Sequence, residues 1–419
     1  MIIERNTYLK QLIDGIDNGL IKVITGIRRC GKSFLLSQIF RDYLIKNNVN
    51  PSNIIHIPLD DRRNIQLRNP DKFIKVIDGL TQDINQKYYL LIDEIQLMDD
   101  FIEVLNSFLY TTNIEVFVTG SNSKFLSSDI ITEFRGRSDE IHMYPLSFKE
   151  YYSVYNKDFE TSWKDFYTYG GLPQVVLIND ESKKKSYLQN LMSTVFIKDV
   201  IERHKIKYSE EIEDLIQIIA SSIGAPTNPI KLSNTFKSLK KSEVTYKTLS
   251  KYIGYLLDAF IIEKALRYDI KGKKYINSLL KYYFTDTGLR NGILNFRQNE
   301  ESHLMENIIY NELLIRGYSV DVGMVLTRSF DNQGNAVRKR LEVDFVANKG
   351  DVRLYIQSAL HIPNREKKIQ ETASLLKIND SFKKIIIVKD NIKEYMDEDG
   401  FLNIGLKDFL LNEDNFLLR

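Results

Sequence analysis

The chain has 419 residues, 43% hydrophobic and 27% charged, with 20 Gly and 8 Pro; this excludes a long disordered tract and leaves room for two to four domains. A net charge of +2 excludes a uniformly basic nucleic-acid binder, so any such signal is local. The single cysteine, Cys30, excludes an intrachain disulfide and fits a reducing cytosol.

Residues 7–18 carry Leu9, Leu12, Ile13 and Ile16 at helical spacing. Glu4, Arg5 and Lys10 interrupt the N-terminus, so no secretory leader is expected, and no stretch nears the ~18 apolar residues of a membrane span. A short buried strand, 20–25, then leads into Gly26-Ile27-Arg28-Arg29-Cys30-Gly31-Lys32-Ser33 and a helix to residue 43. This is G-x-x-x-x-G-K-[ST] in its required strand–loop–helix context. The glycines let backbone N–H groups from Gly26 through Arg28, Arg29, Cys30, Gly31, Lys32, Ser33 and Phe34 converge on phosphates, and the helix start adds positive potential. Lys32 is expected to reach the β- and γ-phosphates of ATP and Ser33 to ligate Mg²⁺.

A second strand is expected at 53–59, a helix at 73–84, and a third strand at 88–94 ending in Asp93-Glu94. The apolar run before these acids reads as a strand covered on both faces in a parallel sheet, which delivers them to the ligand-binding edge. There Asp93 would hold the metal shell and Glu94 would polarise the attacking water. A fourth strand, 114–119, ends in Gly120-Ser121-Asn122. Asn122, or else Ser121, either contacts the γ-phosphate or merely caps the next helix. Arg135 and Arg137 precede a short strand at 139–143. They are candidates for a transition-state arginine, Arg137 preferred, against the alternative of a surface ion pair.

Five strands, a phosphate loop, a two-acid strand end and late arginines in this order resemble an AAA-plus-type P-loop ATPase. The phrase Tyr144-Pro145-Leu146-Ser147-Phe148-Lys149-Glu150-Tyr151 and the later Gly170-Gly171-Leu172-Pro173 are similar to segments of one bacterial and archaeal ATPase family. Its members join an AAA-plus-like ATPase to a winged helix and a C-terminal domain related to PD-(D/E)XK nucleases. The resemblance implies a 5-1-4-3-2 strand order and four parts: ATPase 1–145, helical lid 146–205, winged helix 206–295 and degenerate nuclease-like domain 296–419.

The residues after 145 can also be taken alone. Helices are expected at 147–155, 161–169 and 182–203, then at 210–223, 228–240 and 245–257, followed by hairpin strands 261–268 and 274–284. Three helices and a basic hairpin suggest a winged helix whose third helix is the recognition helix. Between Lys231 and Lys281 there are twelve Lys or Arg against four Asp or Glu, a local +8, so the remainder carries −6 of the net +2. Lys240, Lys241, Lys247, Lys251, Lys271, Lys273 and Lys274 are the candidate contacts to duplex DNA. The alternatives are solvated helix faces and a protein partner.

In the tail, a helix at 300–316 carries Glu306, and a strand at 340–347 places Glu342 and Asp344 on one face. The following strand, 352–358, stands where the nuclease resemblance implies E-x-K. It reads Gln357-Ser358-Ala359, so Gln357 replaces the acid and Ala359 the lysine. Glu306, Glu342, Asp344 and Gln357 form a vestigial set, and DNA cleavage is not expected. The first reading is an Mg²⁺-dependent ATPase whose nucleotide state controls DNA binding, with a homo-oligomer required if an arginine acts in trans. The rivals are a slow ATP switch acting on a protein and an ATP-regulated nuclease.

Overall fold

The structure is a computed structural model and describes residues 2–120, 136–240, 244–330 and 336–412. It divides into two compact units, residues 1–145 with 258–260, and 146–257 with 261–419.

The first unit is built on five parallel strands, β1 (Ile21–Thr25), β2 (Ile54–Pro58), β3 (Tyr88–Asp93), β4 (Ile114–Thr119) and β5 (Ser138–His142). Their order is β2-β3-β4-β1-β5, the order expected. Both β1 and β3 are buried along their whole length, which is why their sequences lack apolar–polar alternation. Lys22, within β1, is tolerated because Glu115 of β4 pairs with it and the Leu20 carbonyl accepts from it at 2.9 Å. The layer over one face is held by Phe73, Ile77, Leu105 and Phe108 against Ile57, Leu90 and Val116. The helix expected at 73–84 runs Pro70–Leu80 instead. Pro70 fits the first helical turn, and the Asn69 side chain accepts from the Lys72 N–H.

The second unit opens with helices over 148–257. Ser147 and Glu150 form a reciprocal capping box at the start of Phe148–Tyr155. The helices expected to form a separate lid belong to this unit. Gly170 (φ +75°) and Gly171 fold the chain onto Asp286, whose carboxylate accepts from the Gly171 N–H at 2.7 Å and caps the helix Thr287–Ile293. A Cβ at Gly170 would stand 2.1 Å from that carboxylate, and one at Gly288 would stand 2.0 Å from the Tyr169 carbonyl. These close approaches are the physical content of the Gly-Gly-Leu-Pro phrase.

Next come helices Ser209–Ser221, Pro229–Lys240 and Tyr246–Asp258, with an isolated bridge from Thr227 to Leu280, and the hairpin β6 (Ile262–Asp269) and β7 (Lys274–Phe284). The hairpin is not a free wing. β6 pairs in parallel with β8 (Ser319–Phe330), which puts the hairpin at one edge of an eight-stranded sheet made otherwise by the tail. The tail supplies β9 (Ala336–Lys349), β10 (Val352–Ala359), β11 (Lys383–Val388), β12 (Tyr395–Met396) and β13 (Leu402–Gly405), in the order β12-β13-β11-β10-β9-β8-β6-β7. The helix Glu301–Ile315 is buried from Leu304 through Leu313 apart from Glu306. Its Asn307 pairs with both backbone groups of Phe284, at 2.8 and 2.7 Å, and so ties helix to hairpin.

No described helix is long and apolar enough to cross a membrane.

Candidate functional site

The loop after β1 is shaped by contacts that its glycines alone permit. Gly26 (φ +139°) passes so close to β5's end that a Cβ would lie 2.1 Å from the Met143 carbonyl oxygen. Gly31 (φ +106°) forms the turn into the helix, where Leu35 N–H meets its carbonyl at 2.8 Å. Helical segments Lys32–Phe34, Leu35–Phe40 and Arg41–Lys46 then follow without a break, the middle one π-helical. Lys32 is buried, and its ammonium donates to the Gly26 and Ile27 carbonyls at 2.9 and 3.0 Å. Ser33 and Phe34 are exposed and Arg28 is half-buried. Arg29 takes φ +64° and is exposed. Cys30 is fully buried and its Sγ lies 3.4 Å from the Met143 carbonyl, so it is a packing residue rather than an accessible thiol.

Three residues outside the motif support this loop. Arg5 is buried beneath it and donates to the carbonyls of Cys30 (3.1 Å) and Tyr144 (2.6 Å). Tyr8 Oη accepts from the Tyr144 N–H at 3.1 Å. His142 Nδ1 stands 3.0 Å from Thr25 Oγ1, in an aromatic corner with Tyr144 and Phe260. Burial, with a smaller push from the Lys32 ammonium, lowers His142 to about 4, so it is neutral at physiological pH. Of the three, only His142, a polar ring between Ile141 and Met143, leaves a signal in the sequence.

Across the sheet edge, Asp93 is buried at the end of β3, and the Thr119 hydroxyl at the end of β4 donates to its Oδ1. The same hydroxyl accepts from the Glu94 N–H at 3.1 Å. Thr119 therefore fixes both acids, a role that the sequence pattern assigns to no residue. Glu94 adopts φ +53°, ψ +50°, and its carboxylate accepts from the Gln96 side-chain amide. A non-glycine residue in this left-handed region is rare and costs roughly 1–3 kcal/mol. The surrounding bonds hold Glu94 in that geometry.

Because β1 and β3 are parallel members of one sheet, Lys32 and the Asp93-Glu94 pair occur at the same strand edge. Arg137 does not join them. It is exposed, and its carbonyl accepts from the Ile21 N–H at 3.0 Å, at the opposite end of β1. A strand of five residues separates it from the loop, about 17 Å. Within one chain, Arg137 does not reach the phosphate site in this arrangement. Asn122 and Arg135 lie outside the described residues.

The donor set fits Mg²⁺ with a nucleotide. Ser33 offers an exposed hydroxyl at the helix start, and Asp93 offers a buried carboxylate already oriented by Thr119.

Residues 18–152 match the model of an AAA domain, and residues 160–300 match that of a domain of unknown function. A Haemophilus influenzae protein described only as uncharacterized is 35% identical over 98% of this chain and 99% of its own length. A Methanocaldococcus jannaschii protein, likewise uncharacterized, is 30% identical over 88% of this chain and 82% of its own. The chain belongs to their family. Its first unit is an AAA-like P-loop ATPase domain. A Walker-type ATPase of Pyrococcus abyssi shares the fold at 15% identity, with a TM-score of 0.50 over 70% of this chain and 96% of that one.

In the second unit, the residues named as a vestigial set do converge, around Lys281. Lys281 of β7 is buried, and its ammonium lies 2.8 Å from both Glu306 and Glu342. Tyr283 donates to Glu306 at 2.6 Å. Asp344 accepts from the Ser358 N–H and hydroxyl at 2.8 and 3.0 Å. Gln357 follows Ile356, the partner of Phe345, and so lies beside Asp344; its buried Oε1 has no hydrogen-bond partner. Burial and then Glu306 push Asp344 up to about 7, against the pull of Lys281. Burial alone would lower Lys281, but Glu306, Asp344 and Glu342 outweigh it and keep the ammonium charged. No group of three or more His, Cys, Asp or Glu suited to a metal occurs among the described residues. An ammonium occupies the centre of this cluster instead.

Of the candidate DNA contacts, Lys247, Lys251, Lys271, Lys273 and Lys274 are exposed. Lys251 also lies over the Tyr255 ring at 5.8 Å. Lys241 is outside the described residues, and only the backbone of Lys240 is described.

Proposed function

We propose that the protein hydrolyses ATP with Mg²⁺ and uses the nucleotide state to control nucleic-acid binding by its second unit. The observation that carries the hydrolytic part is the single Thr119 hydroxyl bonded to both Asp93 and Glu94 on the strand edge that bears Lys32. In this reading the loop backbone and Lys32 take the β- and γ-phosphates. Ser33 and Asp93 hold Mg²⁺, which neutralises charge building on the phosphate oxygens. Glu94 orients a water and accepts its proton as the water oxygen attacks the γ-phosphorus and the bond to the β-phosphate oxygen breaks, leaving ADP and phosphate. Gln96 holds the Glu94 carboxylate until the substrate site is filled. Arg137, a strand's length from its own loop, could assist only the site of a neighbouring copy.

The nucleic-acid part is supported by the exposed lysines, by the order helix–bridge–helix–helix–hairpin between 209 and 284, which fits a winged helix, and by the local +8. Hydrolysis of nucleic acid is not part of the proposal. Ala359 offers no amine, Gln357 carries no charge, and Lys281 fills the carboxylate cluster. Steady-state phosphate release with Mg²⁺-ATP tests the hydrolytic assignment. Glu94→Gln is expected to bind nucleotide and lose turnover at least 100-fold, whereas Lys32→Ala is expected to lose affinity as well. Retained turnover in Glu94→Gln would remove that residue from its role.

A further inference from the structure

Beside the carboxylate cluster, β6, β7, β8 and β9 enclose an open cavity of about 480 Å³ whose charged lining is three cations, Arg267, Lys274 and Arg340, and one acid, Asp269. Asp269 is buried and accepts from the Gly272 N–H at 3.0 Å, which commits it to the hairpin turn. Arg267 is 8% exposed; its Nε has no hydrogen-bond partner, and its nearest carboxylate, Glu342, is 3.5 Å from Nη2. Glu342 is better engaged by Lys281, at 2.8 Å. A buried guanidinium with an idle N–H is costly unless an anion completes it. Arg340 and Lys274 are exposed. Tyr275 stands at the rim but pairs with Tyr268, so its ring lies on the other face of the hairpin, 5.4 Å from the Tyr268 ring, with its hydroxyl on Asp321 at 3.0 Å.

We propose that this cavity seats a phosphodiester of a nucleic-acid backbone, with Arg267 as the buried donor and Lys274 and Arg340 completing the charge. The inference rests on the reading that the second unit binds nucleic acid, and it moves the contact from the third helix of the winged-helix segment to the sheet. A planar fork and two flexible cations suit a phosphate. Contacts to the backbone alone predict that single strands and duplex both bind. Lys281, standing among Glu306 and Glu342, lets the strand be held without the divalent cation that cleavage would need.

The test is fluorescence anisotropy with labelled single-stranded and duplex 20-mers on the full chain, across a salt series. Lys274→Ala/Arg340→Ala is expected to weaken binding at least tenfold and to flatten the slope of log affinity against log salt by about 2. Arg267→Met, which keeps the aliphatic stem, is expected to weaken it at least tenfold. Melting curves check folding, and the exposed double variant keeps the test decisive should Arg267→Met unfold. If the wild type binds but the double variant matches it, the cavity assignment fails and the wider nucleic-acid reading stands. If the wild type binds neither strand, both fail. Competition by inorganic phosphate as effective as by oligonucleotide would mean a small-anion site only, and capture of polyglutamate in place of nucleic acid would mean an acidic-peptide site; either overturns the proposal.

Discussion

Thr119 carries more of the hydrolytic site than its side chain's size suggests. One hydroxyl donates to Asp93 and accepts from the Glu94 backbone, so its loss frees a buried carboxylate and a strained residue together. Removing a hydrogen bond to a charged group costs about 1.5–3 kcal/mol. Thr119→Val should thus slow turnover by roughly 10–100-fold, with nucleotide affinity changed less; a full kinetic profile separates the two. Gly26→Ala should be worse for binding, because its Cβ would meet the Met143 carbonyl at 2.1 Å and φ is +139°. A loss of about 1–3 kcal/mol in stability is expected in denaturant unfolding, together with loss of ATP binding. His142 gives a pH signature. Its pKa is lowered to about 4 from 6.5, so the folded state prefers it neutral. That contribution is fully present above about pH 6.5 and is lost as pH falls toward 4. His142→Gln should flatten the stability decline across that window, read from unfolding midpoints.

Among the elements, what was legible depended on how local the physics is. The loop, β3 with its two acids and the strand order followed from short patterns whose geometry is self-contained. Thr119 leaves only a faint trace in sequence, a hydroxyl at the last residue of a buried strand, because its two bonds form only once β3 and β4 pair. Lys281 could not be read at all. Its partners Glu306 and Glu342 lie 25 and 61 residues away, and only the sheet that unites β7 with the tail brings them together. The same sheet places the hairpin beside the tail, which its own pattern does not reveal: alternation reports one exposed face, not which strand lies at the edge. The glycines at 170 and 171, which the sequence offers only as part of a family-like phrase, have their physical reason in the buried Asp286 they approach. Lys281→Met leaves two carboxylates facing each other uncompensated. A destabilisation of about 3–5 kcal/mol is expected near neutral pH, easing in acid as the carboxylates take protons, and urea titrations at pH 5 and 7.5 would show it.

For the molecule as a whole, the account joins an AAA-like ATPase unit to a second unit whose features point toward nucleic acid. That union implies a coupling free energy, and coupling is reciprocal: if nucleotide changes nucleic-acid affinity, nucleic acid must change nucleotide affinity by the same factor. Arg137 lies a strand's length from its own loop, so if it assists hydrolysis it does so on a neighbouring copy, and turnover per chain should then rise with protein concentration. The most direct measurement is the steady-state ATPase rate with Mg²⁺, titrated with single-stranded and duplex DNA, for the wild type and Glu94→Gln. The account predicts a rate that rises saturably with DNA and is absent in the variant. A wild-type rate that stays flat while anisotropy shows the DNA fully bound would contradict it.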